Sequence, residues 1–234
     1  MAIGTVIQRL TTPPQGPRMR LKSFAEARLY AFVDLAYLGG RDPIVIAQHL
    51  CDGGADVIQL RAKMATVDEV RRLAEVLLPI TESNGVMLVV NDHPQIAFAV
   101  GAPACHLGQE DFFVAGRRQV AEVVGSPPGL QLGLSTHAPD QALRALGAGP
   151  DYLAIGPVYS TPTKPGRTAT GLEYVRWAAQ HVSLPWFAIG GITLSNVDDV
   201  LGAGATRICV VSAILNAASV SVACQKFKER LTYA

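Results

Sequence analysis

Cationic and acidic side chains follow successive apolar runs of this sequence. Gln59, Arg61 and Lys63 alternate along one extended stretch, so their side chains share a face. Asp92 and Asp111 follow the next two apolar runs. Arginine binds a diphosphate with two hydrogen bonds, lysine adds a point charge, and carboxylates with phosphate oxygens and water hold Mg²⁺. These residues predict a site for a diphosphate and its metal ion. The alternatives are a solvated basic loop and two helix caps.

A second group of residues is suited to a phosphate. Gly190 and Gly191 follow one apolar run, and Val211 and Ser212 follow the next. Paired glycines let backbone N–H groups approach a phosphate closely, and a helix that starts there adds a favourable dipole. This pattern predicts a phosphate cradle.

Hydroxyl groups and positive charge also occur in a long irregular stretch, residues 156–171. Thr161, Thr163 and Lys164 lie in it, and long loops within a compact domain are often binding loops. The alternative is a surface loop without function. Ser135 follows an earlier apolar run without a G-x-S-x-G elbow, which favours a hydrogen bond to substrate over a nucleophile.

The elements that must position these residues alternate between short apolar runs and helical patterns. Asp42 followed by Pro43 predicts one helix start, and a capping box from Thr66 to Glu69 predicts another. The last two helices are predicted over 193–201 and 213–231. Eight runs are nearly continuous in aliphatic residues, as in buried parallel strands: Leu29–Val33, Asp56–Leu60, Met87–Asn91, Ala104–Leu107, Leu130–Ser135, Tyr152–Ile155, Trp186–Ile189 and Arg207–Val211.

Eight strand–helix units predict an α/β fold, a single (β/α)₈ TIM barrel over residues 28–234. Such a barrel carries its active site at the carboxyl ends of the strands. An open doubly wound sheet is the alternative, but the first run lacks the glycine-rich turn that such sheets use for dinucleotides. Residues 1–27 contain four basic residues and no acid up to residue 22, and we interpret them as a flexible leader.

The composition of the chain argues against several classes of function. The chain has 234 residues, 49% of them apolar, and a net charge of +1. The balanced charge argues against a nucleic-acid partner, and no apolar run is long enough to span a membrane. Four cysteines without C-x-x-C spacing indicate reduced thiols, hence a cytoplasmic protein. His93, His106 and His137 lack zinc-site spacing, which predicts structural roles.

Seven motifs occur together in the order found in thiamine phosphate synthases, and the chain resembles that family over residues 29–215. The motifs are Gln59–Lys63, Asn91-Asp92, His106–Asp111, Gly133–His137, Gly156–Val158 with Thr161–Lys164, Ile189–Ile192 and Val210–Ile214. The resemblance implies a TIM-barrel transferase that joins 4-amino-2-methyl-5-hydroxymethylpyrimidine diphosphate to 4-methyl-5-(2-phosphoethyl)thiazole or its carboxylated form. Diphosphate would leave first, and the thiazole nitrogen would then attack the resulting methylene cation.

Site residues follow from the resemblance position by position. It implies Mg²⁺ on Asp92 and Asp111, and catalytic roles for Arg61, Lys63 and Lys164, which lower the barrier to diphosphate departure. The residues expected to contact the pyrimidine diphosphate are Gln59, Arg61, Lys63, Asn91, Ser135 and Lys164. Those expected at the thiazole phosphate are Thr161, Thr163, Gly190, Gly191, Val211 and Ser212.

Two positions depart from the family's pattern: Ala62 replaces a frequent Glu, and His93 replaces a frequent Arg or Tyr. A thiazole tautomerase-like relative is one alternative, although that group typically lacks the acid at Asp111 and the Thr-Pro-Thr-Lys loop. A non-catalytic phosphate sensor is another. The expected partners are small-molecule substrates, with no nucleic acid and no membrane, and a homo-oligomer is left open.

Overall fold

A computed structural model of the chain describes residues 19–123, 129–161 and 168–232. Its parallel strands form a closed barrel in chain order, in which the last strand pairs with the first. The strands are β1 Leu29–Asp34, β2 Val57–Arg61, β3 Met87–Asn91, β4 Ala104–Gly108, β5 Gln131–Thr136, β6 Tyr152–Ile155, β7 Trp186–Ile189 and β8 Ile208–Cys209. The predicted TIM barrel is confirmed.

The strand predictions succeeded because strands enclosed on both faces consist of aliphatic residues. β3, β6 and β7 have the predicted bounds. The other strands except β8 differ from the prediction by one residue, at one end in β1 and β4 and at both ends in β2 and β5. β8 covers only Ile208 and Cys209, which is shorter than predicted. The backbone leaves the extended conformation at Val211 (φ −112°, ψ −86°), where the next helix begins.

Helices alternate with the strands and cover the outside of the barrel. They are α1 Leu35–Leu38, α2 Pro43–Asp52, α3 Val67–Ser83, α4 Pro94–Val100, α5 Gln109–Val114, α6 Pro139–Gly147, α7 Gly171–His181, α8 Val197–Gly202, α9 Ser212–Leu215 and α10 Val220–Thr232. Both predicted helix starts are confirmed. Asp42 accepts a hydrogen bond from the N–H of Ile44 (2.8 Å), and Thr66 and Glu69 form the capping box of α3.

The predictions for the last two helices were wrong in their bounds. The helix predicted from Thr193 begins at Val197, because the Thr193 N–H donates to Oδ1 of Asn196 and holds a turn there (2.8 Å). The single helix predicted over 213–231 consists of α9 and α10. Asn216 ends α9, and the next helix starts at Val220.

Two hydrophobic clusters hold the barrel together. One lies between the strands and the helices, and the other fills the barrel interior. Phe24 closes the interior at the amino ends of the strands, with its ring centroid 4.0 Å from that of Tyr152. Phe24 and Ala27 are buried, although both belong to the segment assigned above to the leader. All four cysteines are free thiols. No helix among the described residues is long and apolar enough to cross a membrane.

Candidate functional site

A cleft opens at the carboxyl ends of the strands and encloses about 870 Å³, including the part that is open to solvent. Most of the predicted site residues line it: Gln59, Arg61, Asn91, Ser135, Thr161, Gly190, Gly191, Val211 and Ser212. Lys63, Asp92 and Asp111 do not line the cleft. Thr163 and Lys164 lie outside the described residues.

An ion pair fixes Arg61 at the end of β2. Its guanidinium Nη1 lies 2.7 Å from Oδ2 of Asp34, the last residue of β1, because β1 and β2 pair with Asp34 opposite Arg61. The Asp34 side chain is 2% exposed, and its Oδ1 also accepts from the N–H of Ala36 at the start of α1. Asp34 was not among the predicted site residues. Like the residues that were predicted, Asp34 stands directly after an apolar run of the sequence, and this position could have identified it.

A second ion pair lies at the rim. Lys63 pairs with Oδ2 of Asp92, which also accepts from Nδ2 of Asn91 (2.7 Å). The side chains of Lys63 and Asp92 are 46% and 24% exposed. Asp92 has a φ of 63°, the only positive value for a non-glycine residue among those described. Such a conformation costs energy and is concentrated at functional sites.

Asp111 lies in the first turn of α5, directly after β4, and is exposed. Its carboxylate lies over Gly108, where an added Cβ would be 2.9 Å from Oδ2. Because β3 and β4 are neighbours, Asp92 and Asp111 follow adjacent strands at the same end of the barrel. Within the described ranges, no three His, Cys, Asp or Glu side chains cluster as a metal site. The two aspartates can therefore supply only part of a coordination shell.

A second wall of the cleft, at the ends of β7 and β8, consists of glycine backbone. Gly190 and Gly191 have φ values of 106° and 64°. A Cβ on Gly190 would lie 2.5 Å from Cα of Pro157, and one on Gly191 would lie 2.7 Å from the carbonyl oxygen of Ser160. The carbonyl of Gly190 accepts from the N–H of Tyr159 (2.9 Å). Only glycine lets the β7 loop pack this closely against the β6 loop.

The helix expected directly after this glycine pair is absent from that position. α8 starts further along the chain, so no helix begins at Gly191. A helix does begin directly after the β8 loop, where α9 starts at Ser212, but it has only four residues. Backbone proximity, rather than a long helix dipole, therefore characterises this wall.

Two histidines line the cleft, although the sequence pattern predicted only structural roles for them. His106 is on β4 and 8% exposed, and His137 follows β5. Nδ1 of His137 lies 2.5 Å from the carbonyl oxygen of Gly156, which can only accept, so Nδ1 carries the proton. The missed signal for His106 was strand alternation, which turns it toward the interior beside Asn91, its partner on β3.

Comparison with known sequences decides the family. The family model described as thiamine monophosphate synthase matches residues 29–214, which include every strand of the barrel. The chain belongs to the thiamine monophosphate synthase family. The resemblance inferred from the seven motifs is thus confirmed.

Individual relatives of this family are similar over most of the chain. A thiamine-phosphate synthase of Thermus thermophilus is 50% identical over 76% of this chain and 84% of its own length. One of Acidothermus cellulolyticus is 43% identical over 91% and 98%. A solved thiamine phosphate pyrophosphorylase from Pyrococcus furiosus is 28% identical, with a TM-score of 0.74, over 88% of this chain and 96% of its own. These relatives indicate a transferase of thiamine biosynthesis.

Proposed function

We propose that this chain is a thiamine phosphate synthase. It transfers the pyrimidinylmethyl group of 4-amino-2-methyl-5-hydroxymethylpyrimidine diphosphate to 4-methyl-5-(2-phosphoethyl)thiazole. The bond from the methylene carbon to the diphosphate oxygen breaks with both electrons on oxygen. A bond from the thiazole nitrogen to the same carbon then forms, which gives thiamine phosphate. We place this reaction in the cytoplasm.

One observation carries the proposal: two walls of different chemistry face a single cleft. The wall at β1 and β2 holds Arg61 in an ion pair, and the wall at β7 and β8 consists of backbone around Gly190 and Gly191. A reaction between a diphosphate ester and a phosphate ester needs two separate anion sites around one reacting carbon. Holding both substrates in one cleft also supplies the orientation that the second step requires.

The charged wall is suited to the departing diphosphate. Negative charge accumulates on the leaving group as the carbon–oxygen bond breaks, so fixed positive charge beside it lowers the barrier. Arg61 is already oriented by Asp34, which limits the reorganisation needed on binding. Lys63 is paired with Asp92 at the rim and would exchange part of that contact for diphosphate. Lys164, which lies in the sequence between β6 and α7, is proposed to act in the same way.

Asp92 and Asp111 fit Mg²⁺ by their donor type and number. Both offer hard carboxylate oxygens at one end of the barrel, and Mg²⁺ is commonly held by one or two carboxylates while it keeps water and phosphate oxygens as ligands. When bound, the ion would neutralise charge on the diphosphate.

The glycine wall is suited to the thiazole phosphate. The backbone at Gly190 and Gly191 and the side chains of Thr161 and Ser212 offer hydrogen-bond donors to a phosphate without adding charge. We assign the thiazole phosphate to this wall and the pyrimidine ring to the cleft floor near Gln59, Asn91 and Ser135.

The test is product formation. Purified protein is incubated with Mg²⁺, the pyrimidine diphosphate and the thiazole phosphate, and the product is oxidised to fluorescent thiochrome phosphate. We expect product that disappears with EDTA. Asp111→Asn should lower turnover about a hundredfold, which corresponds to roughly 2.7 kcal/mol of transition-state stabilisation. Asp68→Asn is the matched control, because Asp68 likewise occupies the first turn of a helix, α3, but is not one of the two proposed metal ligands, and this change should leave turnover unchanged.

Other outcomes would separate the alternatives. Folded protein that binds the thiazole phosphate but forms no product would favour a tautomerase-like enzyme or a sensor. Product that persists undiminished in EDTA would remove the magnesium assignment while leaving the transferase intact.

A further inference from the structure

A chain of hydrogen bonds crosses the barrel interior beneath the cleft. Nε2 of Gln59 on β2 donates to the hydroxyl of Tyr30 on β1 (2.7 Å). That hydroxyl lies 3.0 Å from the hydroxyl of Tyr152 on β6, which in turn lies 3.0 Å from Nδ1 of His106 on β4. Two buried tyrosines thus link two polar side chains that both line the cleft.

The interior is shaped to hold this chain. Tyr30 is 1% exposed and Tyr152 is fully buried. The Tyr152 ring lies over Gly133 of β5, where an added Cβ would be 2.1 Å from the ring carbon Cζ, so glycine at that position makes room for the ring. Burial raises the pKa of both phenols well above its usual value. Each tyrosine therefore has one proton to donate.

Counting protons shows in which direction the hydrogen bonds of this series are donated. Because Gln59 donates to Tyr30, the Tyr30 proton can be used only toward Tyr152, and the Tyr152 proton then goes to Nδ1 of His106. In that arrangement each of the three hydrogen bonds between Gln59 and His106 has one donor and one acceptor, and His106 carries its own proton on Nε2. The opposite direction needs the Gln59 amide turned over, so that Oε1 accepts from Tyr30, and a proton on Nδ1 of His106.

We propose that Tyr30 and Tyr152 are positioning residues that couple the amide orientation of Gln59 to the tautomer of His106. The hydrogen bonds from Gln59 through Tyr30 and Tyr152 to His106 form a relay. This relay leaves Oε1 of Gln59 as the acceptor that the amide offers to a ligand in the cleft. This inference rests on the proposed function. It adds that the relay makes the site prefer a pyrimidine with a hydrogen-bond donor, an amino group, over the same ring with an oxo group.

The direction of the relay can be measured without any substrate. We expect ¹⁵N NMR at a pH where the histidines are neutral to show the Nε2–H tautomer for His106, assigned by its loss in His106→Gln. His137, whose Nδ1 carries the proton, is the internal contrast. A proton on Nδ1 of His106 would overturn the proposal. Because the tautomer is measured on the unmodified chain and only the assignment needs His106→Gln, this experiment does not require the tyrosine variants to fold.

The coupling is tested with Tyr152→Phe. This change should reduce the preference of His106 for the Nε2–H form. Tyr174→Phe is the matched control, because the buried Tyr174 hydroxyl bonds to Thr136 (2.8 Å) and belongs to the cluster outside the barrel interior. Tautomer signals that are the same in Tyr152→Phe and in the unmodified chain would contradict the coupling.

The preference itself is tested with Tyr30→Phe by calorimetry in Mg²⁺ without thiazole, so that no turnover occurs. The unmodified chain should bind the amino-pyrimidine diphosphate more tightly than its oxo analogue. Tyr30→Phe should lower that ratio of Kd values about tenfold, the equivalent of one hydrogen bond. An unchanged ratio would overturn the role of Tyr30 in specificity. Failure of the proposed function would appear instead as no product in the thiochrome assay with the NMR result intact.

Discussion

The two walls of the cleft achieve anion binding by different means. At β1–β3 the groups are long side chains, and opposite charges hold them: Arg61 by Asp34 and Lys63 by Asp92. At β7 the group is the main chain itself, in a conformation reserved for glycine at Gly190. Side chains can adjust after a substitution, whereas packed backbone cannot. The glycine wall should therefore be the less tolerant of the two.

Among the substitutions that compare the two walls, Gly190→Ala should have the largest effect. The new Cβ would lie 2.5 Å from Cα of Pro157 and would occupy a φ of 106°. Displacing the β7 loop by about 1 Å misplaces the bound phosphate, and we expect kcat/KM to fall about a hundredfold. Steady-state kinetics on both substrates, with thermal unfolding alongside, measures it. Gly147→Ala is the control, since nothing lies within 4 Å of its Cβ position. If Gly190→Ala were about as active as Gly147→Ala, the expected difference in tolerance between the two walls would be contradicted.

Asp34→Asn should have a smaller effect. Asparagine can still accept the hydrogen bond from the Ala36 N–H, so the change removes the charge on Arg61's partner and keeps the cap of α1. We expect the KM for the pyrimidine diphosphate to rise and kcat/KM to fall about tenfold, the value of one charge-assisted hydrogen bond. The KM for the thiazole phosphate should not change. Equal changes in both KM values would contradict the separation of the two sites.

Asp92→Asn should affect metal dependence more than stability. Asparagine tolerates the left-handed conformation at this position, and the pair with Lys63 is partly exposed. We expect the free energy of unfolding to change by less than about 1 kcal/mol, as for other exposed pairs. The Mg²⁺ concentration for half-maximal activity should rise. Denaturant titration and a Mg²⁺ titration check the two parts, and a large loss of stability would show that the rim pair is structural.

Asp56 lies at the amino ends of the strands, and a substitution there tests stability separately from function. Burial alone would raise the pKa of its carboxyl, but hydrogen bonds from Lys22, Lys228 and the backbone N–H groups of Leu29 and Arg28 outweigh burial. The pKa is therefore lowered from its ordinary value of 3.8. A carboxyl with a lowered pKa in the folded state stabilises the fold above its unfolded pKa. That contribution is lost as pH falls through the folded value.

Asp56→Asn should therefore lower stability at pH 7 and leave the activity of the folded fraction unchanged. The difference in free energy of unfolding between the two proteins should shrink below about pH 4. Denaturant titrations at pH 7 and at pH 3 measure it. A difference that stays constant across this range would show that the carboxylate charge of Asp56 does not stabilise the fold.

Much of the fold and part of the site could be predicted from the sequence. The apolar runs located the strands, because in a closed parallel barrel each strand is enclosed on both faces. Strand ends then located Gln59, Arg61 and Asn91, which do line one cleft. The helical pattern after β8 was misleading. Apolar residues on both sides of Asn216 continue the helical spacing, but the helix ends at Asn216 and a new one starts at Val220.

What the sequence by itself determined is which residues stand at the mouth of the barrel, since that depends on local alternation and on where each apolar run ends. Tertiary structure decided which of them meet. Asp34 and Arg61 are 27 residues apart, and the tyrosines of the relay are 122 apart. Pairing of β1 with β2 places Asp34 opposite Arg61, and the closed barrel brings Tyr30 and Tyr152 into one interior. No spacing along the chain encodes that meeting, because it depends on the packed geometry of all the strands together.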